Sequence, residues 1–150
     1  MSQAQAGYSG KPVWQKLGIG AGMRVYVGNA PDDYAALIGL DADAFEPVGA
    51  RARFDLAHLF AESGTRLARD LATLAGRLPA DGVVWVSWPK KSSGVATDIS
   101  EDTLRAIALP LGLVDIKVCA VSEIWSGLKF CWRRASKEGA TPARKPGKSA

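Results

Sequence analysis

The sequence predicts a three-layer α/β protein in which helices cover both faces of a mostly parallel sheet that ends in an antiparallel hairpin. Strand-like apolar runs alternate along the chain with stretches of helical period, and the last two runs follow each other without a helix. The 150 residues, 47% of them apolar, are enough for the core of one such domain. This composition excludes collagen-like, disulfide-stapled and wholly disordered proteins.

A short helix and a buried strand begin the domain. Residues 12–17 start with proline and end before a glycine, which is typical of a short helix. Residues 23–28 have the apolar, β-branched character of a strand. Capping residues and a proline at 29–33 predict a second short helix over residues 34–38. The order is therefore strand, turn and helix.

The middle of the chain predicts two more strands and a long helix. Residues 45–48 form a weak strand, and Pro47 confines it to an edge or a bulge. Residues 54–60 alternate better and predict another strand. A helix is expected between residues 62 and 78, because its leucines recur at helical spacing and lie on one stripe. These leucines are Leu67, Leu71, Leu74 and Leu78.

Residues 83–88 form a continuous apolar run, which is typical of a strand buried on both faces of a parallel sheet. After a loop over residues 89–98, Ser100 is placed to cap a helix whose first turn contains two acidic residues. Pro110 indicates that this helix ends nearby.

The last two strands are expected to form an antiparallel hairpin. Residues 114–121 and 128–134 are the strands, and residues 122–127 are the turn between them. This arrangement predicts that Cys119 and Cys131 lie near one another across the hairpin. Both are expected to be reduced thiols.

The charge is unevenly distributed. The net charge is +4, but Arg133 and the residues after it carry +5, so the rest of the chain is almost neutral. We expect a flexible N-terminus at residues 1–7, one α/β domain at 8–134 and a basic disordered tail at 135–150. A neutral body gives little attraction to nucleic acid, whereas the tail leaves open an electrostatic arm for it.

The sequence contains no run of about 18 apolar residues and no signal-peptide pattern, so we expect a cytoplasmic protein without a membrane partner. The two cysteines form no CxxC motif and have no histidine nearby, so no metal site is expected.

Candidate site residues follow the predicted strands, near the edge where ligands of such sheets bind. They are Asn29, Asp32, His58, Lys90, Lys91, Ser92, Ser93 and Trp125. Ammonium groups, hydroxyls and an amide are suited to an anion or a nucleotide-like ligand. The alternative is that the lysines are solvated, the serines form turns, and the single imidazole and the tryptophans are structural. No residue has the context of a catalytic nucleophile.

Residues 17–25, which lead into the first strand, and residues 79–86 resemble segments of the class I methyltransferase fold. That resemblance implies a Rossmann-like sheet and adenosylmethionine as cofactor. The turn after the first strand lacks the usual glycine-rich cofactor loop, since it contains only Gly28 and is followed by Pro31. The acid that usually binds ribose after the second strand has no clear counterpart, because Glu46 lies within that strand.

A second resemblance, over about residues 7–134, is to a bacterial family known as domain of unknown function 3052. It is carried by residues 7–10, 29–31, 55–60, 85–94, 97–98, 118–121 and 125–129. This family implies no established activity, and the cofactor stays unknown.

The function expected from these observations is a non-catalytic domain that binds a small anionic ligand or a protein partner. The enzyme alternative is a divergent adenosylmethionine-dependent methyltransferase. A third possibility is a nucleic-acid accessory protein that acts through the basic tail.

Overall fold

A computed structural model describes residues 11–49 and 51–133 of the chain. The strands are β1 (Arg24–Gly28), β2 (Glu46–Val48), β3 (Leu56–Phe60), β4 (Val83–Pro89), β5 (Leu113–Ala120) and β6 (Trp125–Trp132). The helices are α1 (Val13–Leu17), α2 (Tyr34–Ile38), α3 (Gly64–Ala75) and α4 (Glu101–Ala108). The predicted flexible N-terminus and basic tail lie outside the described residues.

The six strands form one sheet in the order β2-β1-β3-β4-β6-β5. The pairs β1–β2, β1–β3 and β3–β4 are parallel, whereas β6 is antiparallel to both β4 and β5. The predicted mostly parallel sheet with a terminal hairpin is confirmed. Because β2 and β3 lie on opposite sides of β1, the strand order reverses between β1 and β3.

The strand β2 lies at one edge of the sheet, as its proline predicts. Pro47 is opposite Val25 of β1. Proline has no N–H to donate to a neighbouring strand, so it disturbs the ladder least at an edge, where one side of the strand has no partner.

Helices cover both faces and complete the three layers. Apolar residues of α3 and α4 form one core cluster with β3, β4 and β6, and α1 and α2 form another with β1 and β4. The leucine stripe faces the first cluster, where Leu67, Leu71 and Leu74 are buried. Helix α3 begins later than predicted, because the Ser63 side chain accepts a hydrogen bond from the N–H of Arg66 and caps it.

The hairpin is confirmed, but its turn is shorter than predicted and β6 already starts at Trp125. The N–H groups of Val121 and Ser122 both donate to the carbonyl of Trp125, at 2.9 and 3.1 Å, and close the turn early. Gly127 therefore lies within β6, where an added Cβ would be 3.3 Å from the Trp85 ring. A glycine here leaves room for the indole rather than forming a turn.

The expected proximity of Cys119 and Cys131 is wrong. Cys119 is opposite Gly127 in the hairpin, and Cys131 is opposite Val114, so the two thiols lie at different levels of the ladder. Both are free cysteines. The irregularity between Asp115 and Lys117 also shifts the register between these two levels.

No helix within residues 11–49 and 51–133 is long and apolar enough to cross a membrane.

Candidate functional site

A cavity of about 320 Å³ lies at the carboxyl ends of β1 and β3, where the strand order reverses. Ligands of open α/β sheets bind at such a switch point, because the loops after the two strands diverge there and leave a crevice. The cavity is lined by Asn29, Phe60, Ala61, Glu62, Ser63, Arg66 and Trp125.

Asn29 connects the end of β1 with α3. It has a left-handed backbone, with φ of 59°, which asparagine tolerates better than most residues. Its side-chain amide donates to the carbonyl of Phe60 at 3.3 Å and to the carboxylate of Asp70 at 3.1 Å. Its amide oxygen accepts from Arg66 Nη2 at 3.3 Å. These bonds hold a polar wall between the two strand ends.

The loop that follows β4 holds the segment between β3 and α3. The Thr97 hydroxyl donates to the carbonyl of Glu62 at 2.7 Å, and the N–H of Gly64 donates to the carboxylate of Asp98 at 2.7 Å. The second bond satisfies one of the free N–H groups at the start of α3. Together they fix the cavity wall formed by Glu62 and Ser63.

Two aromatic side chains lie in the apolar part of the cavity lining. Phe60, the last residue of β3, is buried, and Trp125, the first residue of β6, is half-buried. Their ring centroids are 5.1 Å apart and their planes are 89° from parallel. The cavity therefore combines an aromatic wall with a guanidinium, a carboxylate and an amide.

The structure brings two of the eight sequence-predicted residues, Asn29 and Trp125, to this cavity. The other six do not line it: Asp32, His58, Lys90, Lys91, Ser92 and Ser93. Asp32, Lys91 and Ser92 are exposed. Ser93 donates through its hydroxyl to the carbonyl of Lys90 at 2.7 Å, within a 3-10 turn over Lys91–Ser93.

His58 lies inside the protein rather than at the rim. Its Nδ1 is 2.7 Å from the Tyr34 hydroxyl and its Nε2 is 2.7 Å from the Ser87 hydroxyl. Burial lowers the pKa of His58 to about 3, so the imidazole is neutral at physiological pH. Burial also raises the pKa of Tyr34 above its usual range, because it disfavours the phenolate.

Sequence reasoning missed Phe60, Glu62, Ser63 and Arg66. A usable signal was present, since the same rule that selected Asn29 applies to the residues after the strand ending at Phe60. Arg66 is different, because its place at the cavity depends on how α3 docks. Within the described residues, no group of three or more histidine, cysteine, aspartate or glutamate side chains is placed to hold a metal ion.

Several solved structures resemble this one. A protein from Sulfolobus solfataricus described as a type 11 methyltransferase matches with a TM-score of 0.56 and 14% identity, over 81% of this chain and 89% of that one. Magnesium protoporphyrin IX methyltransferase from Synechocystis PCC 6803, with bound S-adenosylmethionine, matches with a TM-score of 0.53 and 13% identity, over 77% of this chain and 72% of that one. The chain has a methyltransferase-like fold.

A third structure with this methyltransferase-like fold is an O-methyltransferase from neocarzinostatin biosynthesis, in complex with S-adenosylmethionine and 2-hydroxy-5-methyl naphthoic acid. Its TM-score is 0.53 at 15% identity, over 79% of this chain, which spans only half of that protein's length. No protein-family model and no curated protein matches the sequence.

The expectation of a non-catalytic domain that binds a small anionic ligand or a protein partner is wrong. Methyltransferases with bound S-adenosylmethionine share the fold of this chain. That expectation rests on the missing glycine-rich turn after β1. A single loop does not determine strand order or core packing, so its absence does not separate this chain from the methyltransferase-like fold.

Proposed function

We propose that the protein is a divergent adenosylmethionine-dependent methyltransferase whose cofactor binds in the cavity between the ends of β1 and β3. The observation that carries the proposal is the position of this cavity at the switch point of a methyltransferase-like sheet. Its volume of about 320 Å³ lies within the range of small-molecule sites.

The residues present fit the chemistry of adenosylmethionine. The cofactor has a carboxylate, an ammonium, a sulfonium and an adenine ring. Arg66 offers donors for the carboxylate, and Glu62 offers an acceptor for the ammonium. The Asn29 amide, whose two N–H groups already donate to Phe60 and Asp70, helps to position Arg66. Trp125, which is half-buried, offers an aromatic surface for the sulfonium or the adenine, and the buried Phe60 packs edge-on against it. When bound, the cofactor supplies an electrophilic methyl group.

The chain holds the cofactor differently from the usual pattern. After β1, the left-handed turn that a glycine-rich loop would make is made by Asn29, whose side chain also hydrogen-bonds Phe60, Asp70 and Arg66. No acid directly follows β2, since Val48 is followed by Gly49, and Glu46 is at the other end of that strand beside Arg24. Because this chain lacks the usual ribose-binding acid, we expect the polar side chains around Arg66 to supply most of the polar contacts to the cofactor.

The experiment is calorimetric titration of the full chain with adenosylmethionine and adenosylhomocysteine. Both are expected to bind, and Arg66→Ala is expected to weaken binding about ten-fold or more, the effect of one hydrogen bond to a charged group. Arg53→Ala is the matched control, because Arg53 is also exposed and does not line the cavity. Absence of binding to the wild-type chain would refute the proposal, and equal losses in the two variants would refute the assigned cavity.

Three further assignments belong to the proposal. Membership of the bacterial family of unknown function numbered 3052 rests on the motifs quoted above, including Asn29–Pro31. A cytoplasmic location is supported by the free thiols of Cys119 and Cys131, which suit a reducing compartment. Lys90 and Lys91, which do not line the cavity, remain proposed anion contacts. A role of the basic tail in nucleic-acid binding concerns residues outside the described part of the chain.

A further inference from the structure

A chain of three hydrogen-bonded side chains crosses the interior from α2 to β4. Tyr34, His58 and Ser87 are joined by two contacts of 2.7 Å, one at each nitrogen of the imidazole. His58 and Ser87 are fully buried. Tyr34 comes from the first turn of α2, so the chain connects a helix with the two central strands.

Both nitrogens of the buried imidazole have a partner, which fixes the orientation of the ring. A neutral imidazole donates through one nitrogen and accepts through the other, and hydroxyl groups can do either. Rotation of the ring would leave a buried polar atom unpaired, which is unfavourable in this environment. The two hydroxyls of Tyr34 and Ser87 therefore hold the plane of His58.

The ring of His58 packs behind the aromatic side chains that line the cavity. The imidazole is stacked on Phe60, with centroids 4.3 Å apart and planes inclined by 22°. The Tyr34 ring packs edge-on against Phe60 at 5.9 Å, and Phe60 packs edge-on against Trp125. Phe60 and Trp125 line the cavity, whereas His58 and Tyr34 do not.

We propose that His58 is a positioning residue, held by Tyr34 and Ser87, that sets the orientation of the aromatic wall formed by Phe60 and Trp125. It acts through Phe60 and does not touch a ligand. The consequence for ligand affinity rests on the proposed function, since adenosylhomocysteine is the probe. The consequence for the Phe60 and Trp125 rings does not rest on it.

The first measurement needs no ligand. In the full chain, Tyr34→Phe and Ser87→Ala each remove one hydroxyl that is hydrogen-bonded to His58. Nuclear Overhauser contacts between the Phe60 and Trp125 rings measure the relative orientation of the two rings. We expect these contacts to weaken at least two-fold in both variants. His58 is the sole histidine, so its imidazole nitrogen resonances need no assignment and are expected to shift when either partner is removed.

The matched controls are Tyr26→Phe and Ser126→Ala. Tyr26 packs against the core on the other side of the sheet, and Ser126 lies opposite Trp88 in β6. Each control loses one hydroxyl outside the His58 chain, and each is expected to keep the contacts between Phe60 and Trp125. Urea unfolding of each variant shows whether weaker ring contacts result only from a loss of stability. Wild-type ring contacts in both Tyr34→Phe and Ser87→Ala would overturn the proposal.

The second measurement is calorimetric titration with adenosylhomocysteine. Tyr34→Phe and Ser87→Ala are expected to bind it about three- to ten-fold more weakly, the range for one neutral hydrogen bond, and the controls with unchanged affinity. Unchanged affinity in the two variants would overturn the positioning role. If the wild-type chain does not bind the probe, the proposed function fails, and the ring contacts alone decide whether His58 holds the wall.

Discussion

The buried imidazole of His58 predicts a specific loss of stability in acid. Burial lowers its pKa in the folded protein to about 3, whereas the pKa of the same group in the unfolded chain is 6.5. Between these values the unfolded chain binds a proton that the folded protein does not. The contribution of His58 is therefore fully present above pH 6.5 and is lost as the pH falls toward 3.

The magnitude follows from linkage. Each pH unit between these pKa values lowers the free energy of unfolding by about 1.4 kcal/mol. Acidification from pH 6.5 to pH 4.5 therefore removes about 2 kcal/mol, a large part of the roughly 5–15 kcal/mol that stabilises a domain. A variant that lacks the imidazole isolates the contribution of His58.

The variant is His58→Gln, which cannot titrate but keeps a donor and an acceptor for Tyr34 and Ser87. At pH 7 we expect it to be about 1–3 kcal/mol less stable, because its amide meets the two hydroxyls less well. On acidification the difference should narrow by about 1.4 kcal/mol per pH unit below 6.5, since only the wild-type protein loses the contribution of His58. Urea unfolding followed by tryptophan fluorescence, at steps of half a pH unit, measures both curves.

Two results would refute this reasoning. One is a wild-type and a His58→Gln curve that run parallel from pH 7 to pH 4.5. The other is an imidazole resonance that titrates near pH 6.5 in the folded protein, which would mean that water reaches His58 despite its burial.

Two other predictions concern contacts that hold the elements around the site. Trp85→Phe removes the indole N–H that donates to the carbonyl of Leu17 at 2.8 Å in the buried core, and should lower the free energy of unfolding by about 2–4 kcal/mol in urea titrations. Trp132→Phe loses longer and less buried hydrogen bonds to Leu78 and Pro79, so it should lower the free energy of unfolding by less than Trp85→Phe does. A larger loss in Trp132→Phe than in Trp85→Phe would contradict this prediction. Asp98→Ala removes the carboxylate that accepts from Gly64 at the start of α3, and should cost about 1 kcal/mol and weaken adenosylhomocysteine binding. Asp81→Ala, at an exposed turn, is its control, and equal affinities of the two variants would show that the loop after β4 does not hold the cavity wall.

The elements that the sequence predicted well are those whose own residues determine them. The run at 83–88 is apolar on both faces, and the structure buries Val84, Trp85 and Val86 completely. Pro47 restricts its strand to an edge whatever surrounds it, because the missing N–H is a property of the residue itself. The apolar pattern of a strand and the missing N–H of a proline are local properties. These predictions therefore did not depend on which strands or helices pack against the segment.

The errors arose where a partner decides the outcome. The sequence predicts Gly127 at the end of the turn, but the turn closes early at Trp125, and Gly127 lies in β6 beside Val121 and Trp85. The proximity of Cys119 and Cys131 assumed a regular ladder, and the register of a hairpin cannot be counted from sequence when its turn closes early and one strand has an irregularity.

At the candidate site, too, the features that depend on local sequence were predicted, and those that depend on a distant partner were not. Asn29 was found because the residue after a parallel strand lies at the ligand edge wherever the helices dock. The alternation of side chains along a strand predicts that His58 and Phe60 lie on one face of the sheet. It does not predict the hydrogen-bond partners of His58, because Tyr34 lies 24 residues before it in the chain and Ser87 lies 29 residues after it. Without these two partners, a lone histidine in an apolar strand is consistent with a structural residue and also with an acid or a base. With them, the two hydroxyls make the imidazole part of the frame behind the aromatic wall, and the candidate chemistry moves to the residues that line the cavity.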